Sequence, residues 1–361
     1  KPFKSVYLHG IVRDGQRRKM SKSLGNSPDP LNLVKQYGAD GMRMGMLLCS
    51  PAGNDVLFDE NLPEQGRNFC NKIWNAFRLV KGWDVDTTIS QPEHSAAAVE
   101  WLNNLISQKV ETLNDHFDKY RLSEALMEVY KLFWDEFSSW FLEMVKPAYQ
   151  KPVDAKTQAQ VLSIFDKMLR LLHPFMPFIT EELWQLLEER KQGDSIMVAE
   201  LPKAEEYNQD VISRFEEMKE IVTGVRNIRQ EKNIPNKENL SLFIKSAEKL
   251  SPEVESVIVK LAGLDKFEYT TSKIDGSAAF MVKSTEFFVP LEGFVNEEEE
   301  KAKLSEELNY TKGFLKSVQK KLSNERFVNN APPKVVEMER KKQTDAEEKI
   351  KVIEERLASM E

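Results

Sequence analysis

Between residues 62 and 202 the chain repeats one pattern five times, and that pattern limits the possible fold more than any other feature. Apolar and aromatic side chains recur at steps of three and four. They run Phe69, Ile73, Phe77 and Val80, then Leu102, Leu105, Leu113 and Phe117. Leu126, Val129, Phe133, Phe137, Trp140 and Phe141 follow, and then Val161, Phe165, Met168, Leu171 and Leu172. Pro174 and Pro177 interrupt the chain, and a fifth helix is expected over Glu181 to Glu189. Such steps place side chains on one face of a helix, which must be buried against another element. Five of them with short connections predict a helical bundle. All six tryptophans (74, 83, 101, 134, 140 and 184) fall in this stretch and are expected to fill its core.

The flanking regions read differently. Residues 203–293 predict a small α+β unit, with helices over Phe215 to Glu231 and Pro252 to Leu261. Strands are expected at Leu240 to Ile244, Phe267 to Thr271, Ala278 to Val282 and Glu286 to Leu291. In residues 294–361, Asn296 is a candidate N-cap, followed by Glu297 to Glu300 at the positive end of a helix. Leu304, Leu308, Thr311, Leu315, Val318 and Leu322 then step by 4, 3, 4, 3, 4, the spacing of a coiled-coil seam. A turn at Asn329-Asn330-Ala331-Pro332-Pro333 and a returning stripe of Ala346, Ile350, Ile353 and Leu357 complete an antiparallel hairpin. In residues 1–61, Val6-Tyr7-Leu8 and Ile11-Val12 read as strands, and Arg13-Asp14-Gly15-Gln16 as an Asp-Gly turn. Asp29 is the expected cap of a helix striped by Leu31, Val34 and Tyr37 and stopped at Gly38. The whole is a multidomain, mainly α chain divided at 1–61, 62–202, 203–293 and 294–361.

Formal charge narrows the function. The chain carries −7 overall, yet residues 1–45 hold nine basic side chains (Lys1, Lys4, Arg13, Arg17, Arg18, Lys19, Lys22, Lys35 and Arg43) against Asp14, Asp29 and Asp40. That window is +6, which leaves −13 for the rest. A local basic segment on an acidic protein points to a local anionic ligand or to an exposed loop. The longest apolar run, Met42 to Cys49, is interrupted by Gly45 and falls short of the roughly 20 residues a membrane span needs. Cys49 and Cys70 are too few for a disulfide framework or a four-cysteine zinc site, so a cytoplasmic protein without a bound metal is expected. The sequence starts at Lys1 without an initiator Met, which suggests part of a longer protein.

Within the basic window, Lys19-Met20-Ser21-Lys22-Ser23 is followed by Leu24-Gly25-Asn26. Two ammonium groups and two hydroxyls on a glycine-bearing loop suit an anion, although the phosphate-cradling Gly-x4-Gly-Lys-Ser/Thr spacing is absent. The residues alone leave an anion clamp and an ordinary exposed turn equally open.

The same residues spell KMSKS, and Lys19 to Asn26 resembles the longer KMSKSLGN form of class I aminoacyl-tRNA synthetases. Tyr7 to Asp14 resembles the strand and turn entering that loop. Asp29-Pro30-Leu31 with Tyr37 to Arg43 resembles the helix leaving it. His173 to Trp184 (HPFMPFITEELW) is similar to the anticodon-binding domain of the valyl, isoleucyl and leucyl group. Arg326 to Pro332 with Val335-Val336-Glu337 resembles the hairpin tip of bacterial valyl-tRNA synthetases. Asn54-Asp55, Arg67-Asn68-Phe69 and Lys72 to Asn75 also look valyl-like.

The resemblance implies a fold and a chemistry. Residues 1–61 would end a Rossmann-type catalytic domain, 62–202 would be an anticodon-binding bundle, and 294–361 a coiled-coil arm. The family joins an amino acid to tRNA through an aminoacyl-adenylate, using ATP with Mg2+. Lys22 matches the lysine that contacts the phosphates, Lys19 assists, and Met20, Ser21 and Ser23 complete the ATP-closing loop. Valine, ATP and tRNA(Val) are the implied partners of a monomeric parent enzyme. Expected tRNA contacts are Arg67, Lys72 and Arg78 on the bundle, with Lys312, Lys316, Lys320, Lys321 and Arg326 on the arm. The other class motif, His-x-Gly-His, is absent, since the histidines stand at 9, 94, 116 and 173. These residues alone are therefore expected to form no adenylate. An isoleucyl- or leucyl-type relative and a non-catalytic RNA- or protein-binding module are the alternatives.

Overall fold

A computed structural model describes the chain except residues 1, 51–52, 60, 293, 295–296, 325–332 and 359–361. Near the N-terminus, β1 (Val12–Arg13) pairs in parallel with β2 (Val56–Leu57). Asp55 ties the two together: its carboxylate accepts from the Ile11 amide at 2.9 Å and pairs with Arg13. The strand expected at Val6-Tyr7-Leu8 does not form. These residues have no ladder partner among the described residues, and Val6 and Leu8 are exposed. The turn after β1 also differs, because the residue in left-handed backbone conformation is Arg17 (φ 64°), not Gly15.

Helix α1 (Pro30–Tyr37) starts where Asp29 accepts from the Leu31 amide at 3.0 Å and ends at Gly38, whose φ is 80°. Its buried residue is Leu33, while Leu31 is exposed, so the expected stripe is out of phase. The helix lies against α2 (Ala39–Leu48) and α3 (Asn61–Lys81), and Leu33 is the side chain that faces them.

Glycine sets the crossing of α2 and α3. A Cβ on Gly66 would stand 2.3 Å from the Gly41 carbonyl oxygen, and one on Gly45 would stand 2.5 Å from the Pro63 nitrogen. Backbones can approach this closely only without side chains. Gly41 and Gly45 lie one turn apart on α2, so they form one face, and Gly66 meets that face.

The bundle continues through α4 (Glu93–Asp118), α5 (Leu122–Lys131), a π-helical stretch (Leu132–Phe141), α6 (Leu142–Val145), α7 (Ala155–Leu172) and α8 (Pro177–Leu187), with β3 (Val85–Asp86) before α4 pairing in parallel with β4 (Val153–Asp154) before α7. The π-winding departs from the single α-helix expected. Val129, Phe133, Phe137 and Phe141 step by four and are all buried in the core. Phe165 from α7 meets Phe133 and Phe137 edge-on, at 6.0 and 5.4 Å between ring centres. Trp101 and Trp184 are buried, and Trp83, Trp134 and Trp140 pack partly buried against the core. Trp74 is the exception at 38% exposure, turned aside from the Phe69–Ile73–Phe77 stripe.

Helix α9 (Gln209–Glu231) stacks Phe215 on Trp101, with ring centres 5.2 Å apart and planes within 5°. It leads into β5 (Leu240–Lys245), α10 (Pro252–Ala262), β6 (Leu264–Thr270), β7 (Ser277–Val282) and β8 (Thr285–Pro290). The sheet order is β6-β5-β8-β7; β5 and β6 run parallel across α10, and the remaining pairs are antiparallel. The Arg229 guanidinium pins the end of α10, donating to the carbonyls of Ala262 (3.0 Å), Gly263 (2.9 Å) and Glu238 (2.8 Å). One buried cluster runs from the bundle through α9 and α10 into the sheet.

Two further helices, α11 (Glu297–Leu322) and α12 (Pro333–Ala358), pack antiparallel, as the ion pairs Glu307–Lys349 and Lys321–Glu339 require. Twenty-six residues make each about 39 Å long. Thr311 and Val318 on one helix and Ala346 and Ile353 on the other are buried, as the 4-3 spacing predicts. The expected roles of Asn296, the Glu297–Glu300 carboxylates, Leu304, Leu357, Arg326 and the 329–332 turn lie outside what is described.

The glycine crossing gives a stability prediction. Gly66→Ala forces α2 and α3 apart and should lower unfolding free energy by about 3 kcal/mol, the upper range of overpacking costs. Gly82→Ala, just past the end of the same helix and with its nearest contact at 3.0 Å, should cost less. Equal urea midpoints for wild type and Gly66→Ala would refute the crossing argument.

Candidate functional site

The Lys19–Ser23 loop is braced at its base and open at its tip. Met20 donates its amide to the Val12 carbonyl at 3.0 Å, and Lys19 bridges Arg13, so the loop leaves directly from β1. Ser21 then caps a single 3-10 turn (Lys22–Leu24): its hydroxyl accepts from the Leu24 amide at 3.2 Å and lies 3.1 Å from the Ser23 hydroxyl. Gly25 closes the turn in left-handed conformation, at φ 66°.

Asn26 and Asp14 hold the base. The Asn26 side-chain oxygen accepts from the Ser21 amide at 2.9 Å, and its nitrogen donates to Asp14 Oδ2 at 2.9 Å. Asp14 also accepts from the Gln16 and Arg18 amides and from Arg18 Nε. Hydrogen bonds from Asn26 and then Arg18 hold the Asp14 carboxyl well below its usual range. The sequence places Asp14 in an Asp-Gly turn and Asn26 at the end of the loop motif, and neither position announces that the two brace the loop. The available signal was an Asx residue at each end of a turn, since such side chains bond backbone amides nearby.

Lys19 and Lys22 are exposed, and neither has an ion-pair partner among the described residues. The loop therefore presents two uncompensated cations and two hydroxyls on a fixed base. That arrangement can receive a polyanion and supplies neither a nucleophile nor a metal ligand set. Among the described residues no group of three or more His, Cys, Asp or Glu could hold a metal ion, and no helix is long and apolar enough to cross a membrane. Burial pushes the Cys70 thiol up to about 12 and also raises Cys49, so neither is a reactive thiolate at neutral pH.

The loop's own domain grips the bundle through α2. Asp40, only 5% exposed, accepts from the Phe178 amide at 3.3 Å and the Ile179 amide at 2.7 Å, the first turn of α8. This helix has no side-chain cap of its own, and a residue far away in sequence supplies one. One turn along α2, Arg43 donates to the carbonyls of Phe175 (3.1 Å) and Pro174 (3.2 Å). The Thr180 hydroxyl donates to the Met176 carbonyl at 2.7 Å and therefore accepts from His173 Nδ1 at 2.8 Å. Burial raises the Asp40 carboxyl, opposed by these amides and by Arg43.

The bundle cations do not gather. Arg67 donates to the Gln36 carbonyl at 2.9 Å, Lys72 lies 5.1 Å above the Trp134 ring, and Arg78 is exposed with no partner among the described residues. Arg67 and Arg78 share one side of α3, while Lys72 is turned about 140° away. On the arm, Lys312 pairs with Glu354 at 2.6 Å and Lys321 approaches Glu339 at 3.8 Å. Lys316 and Lys320 are exposed and unpaired among the described residues.

Two tests follow from these contacts. Asp40→Ala removes the cap of α8 and should destabilise the chain by about 1–2 kcal/mol in denaturant unfolding; an unchanged midpoint would remove the junction from the account. The Asp14 carboxyl is held below its ordinary 3.8, so its contribution is present above that pH and lost as pH falls through and beneath it. Protection factors of the Gln16 and Arg18 amides, taken against intrinsic exchange at each pH, should therefore hold down to about pH 4 and fall only below. Loss of protection already at pH 5–6 would contradict this.

Three family models match the chain. Residues 1–59 match "tRNA synthetases class I (I, L, M and V)", 99–244 match "Anticodon-binding domain of tRNA ligase", and 297–361 match "Valyl tRNA synthetase tRNA binding arm". The anticodon-domain match crosses the change of composition at 202, as does the buried core. The chain is 60% identical over 359 residues to a Valine--tRNA ligase of Parabacteroides distasonis, covering 99% of this chain and 41% of that protein. Similarity to the Valine--tRNA ligase of Christiangramia forsetii is 52% over 360 residues, and to that of Enterococcus faecalis 38% over 379 residues. These matches cover all of this chain and 41% and 42% of those proteins. The chain thus spans about two fifths of the length of the curated relatives it matches, and over that span it belongs to the valyl-tRNA synthetase family, matching its C-terminal region.

Proposed function

We propose that this chain supplies the ATP-closing loop and the tRNA-holding parts of an enzyme that joins valine to tRNA(Val). The observation that carries the reading is the pair of uncompensated lysines, Lys19 and Lys22, on a loop fixed at its base by Asn26 and Asp14. When ATP enters with Mg2+, Lys22 stabilises negative charge developing on the departing pyrophosphate and Lys19 assists it. Ser21 and Ser23 keep the turn closed, and Met20 anchors it to β1. This is electrostatic stabilisation by preplaced charge, whose removal typically costs two to three orders of magnitude in rate.

The tRNA is held at two places. On the bundle, Arg78 is the freest cation of α3, with Arg67 and Lys72 nearby but also engaged within the fold. On the arm, Lys316 and Lys320 contact phosphates, with Lys312 and Lys321 on the same helix and Arg326, outside the described residues, as further candidates. The divisions at residues 62, 203 and 294 and the supercoiling of the arm belong to this reading, as do a monomeric state and a cytoplasmic location. The similarity to Valine--tRNA ligases over the whole chain favours valine over isoleucine or leucine, and a synthetase over a borrowed binding module.

Competition between purified tRNA isoacceptors for the 361-residue chain tests this directly. Preference for tRNA(Val) is expected, together with background levels of valine-dependent ATP–pyrophosphate exchange, because the chain contains no His-x-Gly-His. Equal affinity for all isoacceptors would count against the valyl assignment, and exchange above background would sink the catalytic part.

A further inference from the structure

A half-buried cation joins the α+β unit to the bundle. Lys260, in the last turn of α10, sends its ammonium group to the end of α6. It donates to the Met144 carbonyl at 2.6 Å and to the Lys146 carbonyl at 2.9 Å. These acceptors stand where a helix ends, so they lack helical partners and favour a cation. The third contact of the ammonium is His94 Nε2, in the first turn of α4, at 3.0 Å.

An ammonium has three N–H donors and no acceptor. All three are engaged here, so His94 accepts through Nε2 and carries its own proton on Nδ1. The contact thus requires a neutral imidazole. A proton added at Nε2 would occupy the lone pair that receives Lys260 and would set two cations 3.0 Å apart.

The charges around the pair do not relieve that conflict. Helices α4, α6 and α9 and strand β6 pack on α10. From α4 comes His94 itself. From α6 and the residue after it come Glu143 and Lys146, which pair with each other. From α9, Arg226 donates to the Leu261 carbonyl beside Lys260. From β6, the Tyr269 hydroxyl bonds Glu255, five positions earlier on α10. At the start of α4, α7 presents the neutral Thr157 and Gln160 to Gln91. Asp154 of β4 favours an imidazolium, but its carboxylate is buried and bound by the Thr157 amide at 2.7 Å. Burial, and then Lys260, outweigh it and hold the His94 imidazole down to about 4. Burial, with Lys146, lowers Lys260 to about 8, which leaves it charged at neutral pH.

We propose that Lys260 and His94 form a pH-sensitive latch between the α+β unit and the helical bundle, closed while the imidazole is neutral and released when acid protonates it. Released, His94 titrates near its ordinary 6.5; latched, it titrates well below. The latch is therefore at full strength above about pH 6.5. It weakens as pH falls toward 4, by up to about tenfold in its equilibrium constant per pH unit. Alkali has the opposite sign. Lys260 sheds its proton more readily when latched, and the neutral amine keeps two N–H donors for the two carbonyls.

Nitrogen-15 NMR of the histidine rings in the 361-residue chain tests this, with the His94 signal identified by its loss in His94→Gln. His94 should be the Nδ1-H tautomer at about pH 7 and stay neutral to below about pH 5.5. An Nε2-H tautomer, or titration at about 6.5 or above, overturns the latch. Lys260→Met removes the cation and should move that titration upward; an unmoved titration assigns the low value to burial alone and overturns it too. Urea unfolding gives an independent reading, because glutamine offers an acceptor that does not titrate. The folding constant of His94→Gln relative to wild type should rise about tenfold between about pH 6.5 and about pH 5. A constant ratio refutes the proposal. If His94→Gln fails to fold, the wild-type chain still decides: all four rings titrating at about 6.5 or above would leave no latched imidazole.

Discussion

The carboxylate of Asp40 is the interaction on which the arrangement of this chain depends. It comes from α2, one helix after the Lys19–Ser23 loop, and it ends on the first turn of α8 in the helical bundle. A helix start buried without partners leaves orphan amides whose desolvation costs about 1–3 kcal/mol each. Pro177 removes one of those donors and Asp40 satisfies two more. Arg43 then takes the carbonyls of the turn before α8, so one face of α2 binds both poles of a single turn. The price of this arrangement is a carboxylate taken almost wholly out of water. It is tolerable because amides, Arg43 and His173 surround the group, even though burial still raises its pKa.

Close backbone packing makes that reach possible. The glycine faces of α2 and α3 bring the two helices to a separation at which a Cβ would strike a carbonyl. Only then does α2 lie near enough to α8 for a short aspartate side chain to reach its amides. Hydrogen bonds and close packing therefore join the loop base, β1, α2 and the bundle, while Lys19 and Lys22 at the tip have no ion-pair partner among the described residues. Strong bonds at Asn26 and Asp14 fix where the cations are, and the absence of carboxylates at the tip leaves them available.

Much of this fold was legible in the sequence because periodicity reports burial. The bundle stripes, the strands of the sheet and the 4-3 seam of the arm all rest on residues that face a core, such as Phe69, Val289 and Val318. Failures came where the deciding partner is remote or absent. Val6-Tyr7-Leu8 has strand composition, but a strand exists only with a neighbour to pair with, and pattern within one segment cannot supply it. Leu31 and Leu33 differ in burial because of where α2 and α3 lie, not because of their own helix. Asp40 and Arg43 were visible as letters of a motif, while their function joins residues more than 130 positions apart. The π-stretch carried no distinguishing signal, because its steps of four are also those of an ordinary α-helical face.

Cation counting along the sequence was the weakest guide, and the structure explains why. Lys312, Lys316 and Lys320 are equivalent as spacing, yet Lys312 faces Glu354 across the seam and the other two face solvent. Arg67 and Lys72 read as RNA contacts are held by a carbonyl and by a tryptophan ring. What matters for an anionic partner is charge that the fold has not already neutralised. By that measure the net charge of −7 carries little information, because many acidic groups are consumed in pairs such as Glu339 with Lys342 and Glu307 with Lys349. Among the described residues, Lys19 and Lys22 on the loop tip, Arg78 on α3 and Lys316 and Lys320 on the arm are exposed and have no ion-pair partner. An acidic chain can thus hold a polyanion where its surface leaves lysine unpaired, and release it because such contacts are few and screened by salt.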